Sequence, residues 1–118
     1  MQYLLLLYSD YNFFAKMAPE EQKQAVAAYQ SYGEALTKAN AYVGSNRLQP
    51  TTAATTVRVA SGKTEVLNGP YVETKEQLGG YYLIDVPDLD AALSWAARCP
   101  GASHGSVEVR PVWVMQKS

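Results

Sequence analysis

Gln2-Tyr3-Leu4-Leu5-Leu6-Leu7-Tyr8 decides the fold, because it is apolar or aromatic on both alternations of an extended chain. Successive strand side chains point to opposite faces, so Tyr3, Leu5 and Leu7 share one face and Leu4, Leu6 and Tyr8 share the other. A strand of this kind is covered on both sides. The far end of the chain repeats the pattern over residues 107–115, with Val107, Val109 and Trp113 set opposite Val112 and Val114.

Between these ends the periodicity changes twice to that of a helix. Pro19 suits a first helical turn, and Glu20 and Glu21 favour the positive end of the helix dipole. A helix is predicted to about Ala39, buried along Val26, Tyr29, Gly33 and Leu36. Residues 9–18 read as an aromatic-rich loop. Residues 41–49 read as extended, and Thr55–Ala60 and Lys63–Leu67 flank Ser61-Gly62 as a hairpin. A polar loop over 68–77 leads to a strand at 78–86. Asp88 is placed to cap a helix over 89–98 whose buried face is Leu89, Ala92, Leu93 and Ala96. The order β-α-β-β-β-β-α-β brackets a hairpin between two βα units. It predicts an α+β, ferredoxin-like sandwich, an antiparallel sheet with two helices on one face.

Two helices cover only one side of that sheet. Leaving the other apolar face in water would cost several kcal/mol at ~25 cal/mol per Å². A second copy packed sheet to sheet is the simplest cover, which predicts a homodimer. The 118 residues suffice for one domain and one core. Ten basic against eleven acidic side chains, with no run of either sign, exclude a nucleic-acid-binding face and give no support to a membrane surface. The apolar start is far short of the ~20 residues of a membrane helix and lacks the basic region of a signal peptide. Cys99 is the only cysteine, so no internal disulfide forms, and a cytoplasmic setting is expected.

The most distinctive stretch is Asn68-Gly69-Pro70-Tyr71-Val72-Glu73-Thr74-Lys75-Glu76-Gln77-Leu78-Gly79-Gly80-Tyr81. It reads as a tight turn, a charged loop, and paired glycines that open a strand and let another backbone or a ligand come close. Together with Tyr3-Leu4-Leu5-Leu6, Pro19-Glu20-Glu21, Leu48-Gln49-Pro50, Asp85-Val86-Pro87-Asp88 and Val107-Glu108-Val109-Arg110-Pro111, it resembles the YCII-related family in its DGPF branch, over nearly the whole chain. The resemblance implies a dimeric ferredoxin-like fold, no assigned reaction, and a functional link to extracytoplasmic-function sigma factors. Asn68-Gly69-Pro70-Tyr71 departs from the branch's Asp-Gly-Pro-Phe: the turn survives and a carboxylate is lost. The histidine of the His–Asp pair suggested for the wider family has no counterpart before the first helix.

The candidate ligand-binding residues are Glu73, Lys75, Tyr81, Arg110 and Tyr8, placed around a cavity between helices, sheet and the 68–77 loop. Arg110 can grip a small anion with two parallel hydrogen bonds, and Glu73, Lys75 and Glu76 can move protons. Set against this is a structural role in which Arg110, partly buried, pairs with Glu73 or Glu108. His104 and Cys99 do not make a metal set, which needs three or four ligands, and no dinucleotide fingerprint is present, so no metal and no cofactor are expected. The leading reading is a small-ligand-binding or regulatory homodimer. The alternatives are a cofactor-independent enzyme using acid–base chemistry, and an interaction module working with a sigma factor.

Overall fold

In the computed structural model, residues 1–70, 72 and 74–115 are described. Strand β1 (Gln2–Ser9) lies inside a four-stranded antiparallel sheet of order β2-β5-β1-β6, with β2 Tyr42–Arg47, β5 Gln77–Asp85 and β6 Ser106–Pro111. This is the ferredoxin-like arrangement expected from the element order. The register pairs Leu5 with Tyr82 on one side and with Val109 on the other. Tyr3, Leu5, Tyr82, Ile84, Val107 and Val109 therefore share one face.

Helices α2 (Pro19–Lys38) and α3 (Leu89–Arg98) close that face. Tyr32 and Leu36 from α2 and Ala92 and Ala96 from α3 join Tyr3, Leu5 and Ile84 in the core. The Tyr32 hydroxyl donates to the Trp95 carbonyl at 2.6 Å, and its ring meets Tyr82 edge-on at 5.1 Å. Asp88 caps α3 by accepting from the Ala91 N–H at 2.9 Å.

The predicted stripes are each rotated. Val26 is exposed, and the buried line on α2 runs through Tyr29, Tyr32 and Leu36. On α3, Leu89 and Leu93 are about half exposed while Ala92 and Ala96 are buried. Small residues sit beneath α3 because Trp95, with Arg98 stacked on its ring, occupies the neighbouring volume. Residues 9–18 are not all loop: Asp10 accepts from the Asn12 N–H and starts a short helix, α1 (Tyr11–Ala15). The last strand ends at Pro111 rather than 115, because β1 runs out of partners at Gln2, whose carbonyl takes the Val112 N–H.

The hairpin β3 (Thr55–Ala60) and β4 (Lys63–Asn68) turns at Ser61-Gly62, both with positive φ as a type I′ turn requires. It forms a separate two-stranded sheet. The opposite face of the main sheet, carrying Leu4, Leu6, Tyr81 and Leu83, has no helix over it among the described residues.

Gly80 shows why the paired glycines stand where they do. A Cβ there would lie 2.9 Å from the Asn46 carbonyl oxygen of the neighbouring strand. Gly80→Ala should therefore push β2 from β5 and lower stability by about 1–3 kcal/mol, read as a lower urea midpoint; an unchanged midpoint would contradict the close approach. Burial raises the phenols of Tyr29 and Tyr82 to about 12. Unfolded tyrosines ionise near pH ~10, so the unfolded chain sheds these protons first as pH rises. Their contribution to stability is complete below pH ~10 and is lost toward pH ~12. Urea midpoints should fall over that range, and less steeply in Tyr82→Phe.

Candidate functional site

The candidate residues that are described, Tyr8, Lys75, Tyr81 and Arg110, do not form one cluster. Tyr8, Tyr81 and Arg110 lie on the helix-free face of the sheet, since Tyr8 pairs with Ser106, Leu6 with Tyr81, and Leu4 with Arg110. Tyr81 is engaged there: its hydroxyl accepts from Asn46 Nδ2 at 2.8 Å. Arg110 pairs through Nε with the Glu108 carboxylate, two residues along the same strand. The guanidinium side chain is 70 % exposed, which corrects the expectation of partial burial. Arg110 sits on an edge strand with nothing packed over it, and an ion pair so exposed contributes ~0–1 kcal/mol. Glu73 lies outside the described residues.

Lys75 belongs elsewhere. It lines a cleft of about 400 Å³ with Asp10, Asn12, Phe13, Lys16, Glu76 and His104. Three segments build this cleft. The first is α1, started by Asp10 and tied at its far end to α2, where Gln22 Nε2 donates to the Phe14 and Met17 carbonyls. The second is the end of the charged loop, held because Glu76 accepts from Ser106 Oγ at 3.2 Å and its carbonyl accepts from Thr74 Oγ1. The third is the turn after a 3₁₀ stretch, Pro100–Ser103, which carries His104. Gly105 next to it has no room for a side chain, because a Cβ would collide with the Tyr8 carbonyl oxygen. That glycine lets the turn press against β1 and bring the imidazole over α1.

The cleft joins a flat wall to charges. The Phe13 and His104 rings meet at 4.7 Å, tilted by 51°. Lys16 and Lys75 bring two ammonium groups to the same cavity, and among the described residues neither has an ion-pair partner. The carboxylates are already in use, Asp10 as a helix cap and Glu76 on Ser106. Such a set can hold a planar anion between an aromatic surface and two cations, and His104 can exchange a proton with it.

Sequence reasoning gave little weight to His104 and none to Asp10, which the fold joins across more than ninety residues. The available signals were Asp10 before an aromatic run and Gly105 beside the histidine. Cys99 is buried and its thiol is pushed up by that burial, which leaves it a poor nucleophile. Among the described residues no three His, Cys, Asp or Glu side chains are grouped to hold a metal ion. A wider groove beside α2, about 880 Å³, is lined by Tyr29, Gly33, Tyr42, Ser45 and Tyr82, with Glu34 and Lys38 also on its wall. Among the described residues no helix is long and apolar enough to cross a membrane.

Known proteins resemble this chain along nearly its full length. An uncharacterised protein of Rhizobium meliloti (strain 1021) is 40 % identical over 114 residues, which is 95 % of this chain and 92 % of that one. In structure, the 5-chloro-2-hydroxyhydroquinone dehydrochlorinase of Burkholderia phenoliruptrix AC1100, in complex with 2,5-dihydroxybenzoquinone, superimposes with a TM-score of 0.53. The match covers 96 % of this chain and 94 % of that one at 16 % identity, a likeness of fold. The YCII-related domain family matches residues 1–116, and the chain belongs to that family.

Proposed function

We propose that the protein binds a small, planar, anionic ring compound in the cleft between α1, the 74–76 segment and His104. The observation that carries this reading is the convergence of the Phe13–His104 wall with Lys16 and Lys75 on one cavity. An oxygenated ring that carries negative charge satisfies both features: its face lies against the aromatic pair and its oxygens take the ammonium protons. The fold likeness to a dehydrochlorinase in complex with 2,5-dihydroxybenzoquinone is in keeping with a ligand of this class. Among the described residues of the sequence-derived set, Lys75 lines this cleft.

A second reading is favoured by one feature. His104 shares the cleft with Asp10 and Glu76, so a bound ring hydroxyl would meet a group able to take its proton. On that reading the protein is a cofactor-independent acid–base enzyme of the same ligand class. Both readings take the working unit to be a homodimer that covers the helix-free face of the sheet. The unpaired, buried Cys99 suits a reducing, cytoplasmic setting. The Asn68-Gly69-Pro70 turn supports assignment of the chain to the DGPF branch of its family.

The test is titration with 2,5-dihydroxybenzoquinone, followed by calorimetry. Binding should be weakened at least tenfold, about 1.4 kcal/mol, by Lys75→Ala and by Lys16→Ala, and left unchanged by Tyr81→Phe and Arg110→Ala. Binding that ignores both lysine substitutions, or none at millimolar ligand, would contradict the reading. Chemical conversion of the ring that His104→Ala abolishes while binding persists would select the enzyme.

A further inference from the structure

Tyr42 and Ser45 stand three residues apart on β2, a spacing that sets side chains on opposite faces of a regular strand. A bulge between Tyr42 and Gly44 changes this. Tyr42 pairs with Ile84 and Ser45 with Tyr82, both on the helix side of the sheet. The two hydroxyls then meet at 2.8 Å. Both side chains line the groove of about 880 Å³ that runs between this edge strand and α2.

Gly33, in the interior of α2, opens the helix wall of the groove. Glycine weakens a helix relative to alanine, and a Cβ at this position would meet nothing within 4 Å. Packing among the described residues gives no reason for the missing side chain, whereas an occupant of the groove does. Gly101 makes room in its turn for the Tyr29 hydroxyl, which lies 2.6 Å from where a Cβ would stand. Burial pushes the phenols of Tyr29 and Tyr82 up to about 12, so both keep their protons at neutral pH. Among the described residues neither hydroxyl has a hydrogen-bond partner. Two half-buried phenols thus line the groove with hydrogen bonds still to be made.

The charges on the wall narrow the class of occupant. Glu34 and Lys38 set one carboxylate beside one ammonium, and among the described residues neither is ion-paired. Their charges cancel over the groove, in contrast to the two ammonium groups of the His104 cleft. Among the described residues no aliphatic side chain lines the groove. A hydroxyl-rich ring suits this set. Its C–H faces lie on the tyrosine rings, and its hydroxyls donate to Glu34 and accept from Lys38 and the phenols.

We propose that the groove between α2 and β2 is a second binding site, and that it takes a neutral sugar of one or two rings. Its volume falls within the roughly 300–1,000 Å³ of small-molecule sites. The groove shares no lining residue with the His104 cleft, so the two sites stand or fall separately.

Amide NMR of the full chain, titrated with glucose, maltose and cellobiose to about 10 mM, tests the proposal. At least one of these sugars should shift the Gly33, Ser45 and Tyr82 amides with a Kd of about 1 mM or tighter. Gly33→Leu fills the groove and improves the helix. Its urea midpoint should stay at or above wild type while sugar binding falls at least about tenfold. Tyr82→Phe removes one hydroxyl, keeps the ring, and should weaken binding roughly threefold. Lys63→Ala on the hairpin should bind as wild type does. Sugars that leave these amides unmoved overturn the proposal, as does binding that Gly33→Leu leaves unchanged. Tetramethylammonium that moves the same amides where the sugars do not would make the groove a cation cage and overturn it too. Should Gly33→Leu fail to fold, Tyr82→Phe decides, and undiminished sugar binding overturns the proposal.

Discussion

Everything in this fold depends on the pairing of β1 along its length between two neighbours. Antiparallel pairing with β5 and β6 satisfies its backbone on both sides, and Leu5 beneath the helices is wholly buried. Once this strand is fixed, α2 and α3 have one place to lie, over Tyr3, Leu5 and Ile84. The chain then has no helix left for the other face. Leu4, Leu6, Tyr81 and Leu83 stay partly exposed there, and the hairpin reaches away from the body with its valines uncovered. The same constraint that closes one face leaves the other open.

The sites follow from this geometry. Residues at even positions of β1 and β6 are carried to the open face, so Tyr8 and Arg110 are brought to one surface by register. The cleft lies at the end of β1 where α1, the loop before β5 and the turn before β6 meet. Its components are fixed by small local devices: a capping aspartate, a serine–glutamate hydrogen bond, and a glycine pressed against the Tyr8 carbonyl. None of these devices is part of the hydrophobic core. The cleft can therefore vary in chemistry without cost to the sheet.

The fold was legible because apolar periodicity reports burial directly: the first strand, the beginning of the last, the two long helices, the Asp88 cap and the Ser61-Gly62 turn lie where periodicity and turn chemistry put them. The rotated stripes were not legible. Which of Leu93 or Ala92 faces inward depends on the volume taken by Trp95, a fact of packing rather than of spacing. The five-residue α1 was hidden because its apolar side chains serve the cleft and its rim, Phe13 against His104, and Phe14 beneath Arg47. Site residues were least legible of all. Lys75 was found because it sits in a distinctive motif, whereas Asp10 and His104 acquire meaning only when three remote segments meet. Tyr81 and Arg110 were drawn in by residue type and are placed by the register on a different surface.

In the homodimer we propose, a second copy covers the helix-free sheet face that a single copy leaves open. Hydrogen–deuterium exchange at two protein concentrations probes it at the amides of the main sheet. The amides of the edge strands β2 and β6 should exchange more slowly in concentrated solution than on dilution, while the β1 amides remain protected throughout. Edge-strand amides that exchange at the same rate at every concentration would contradict it.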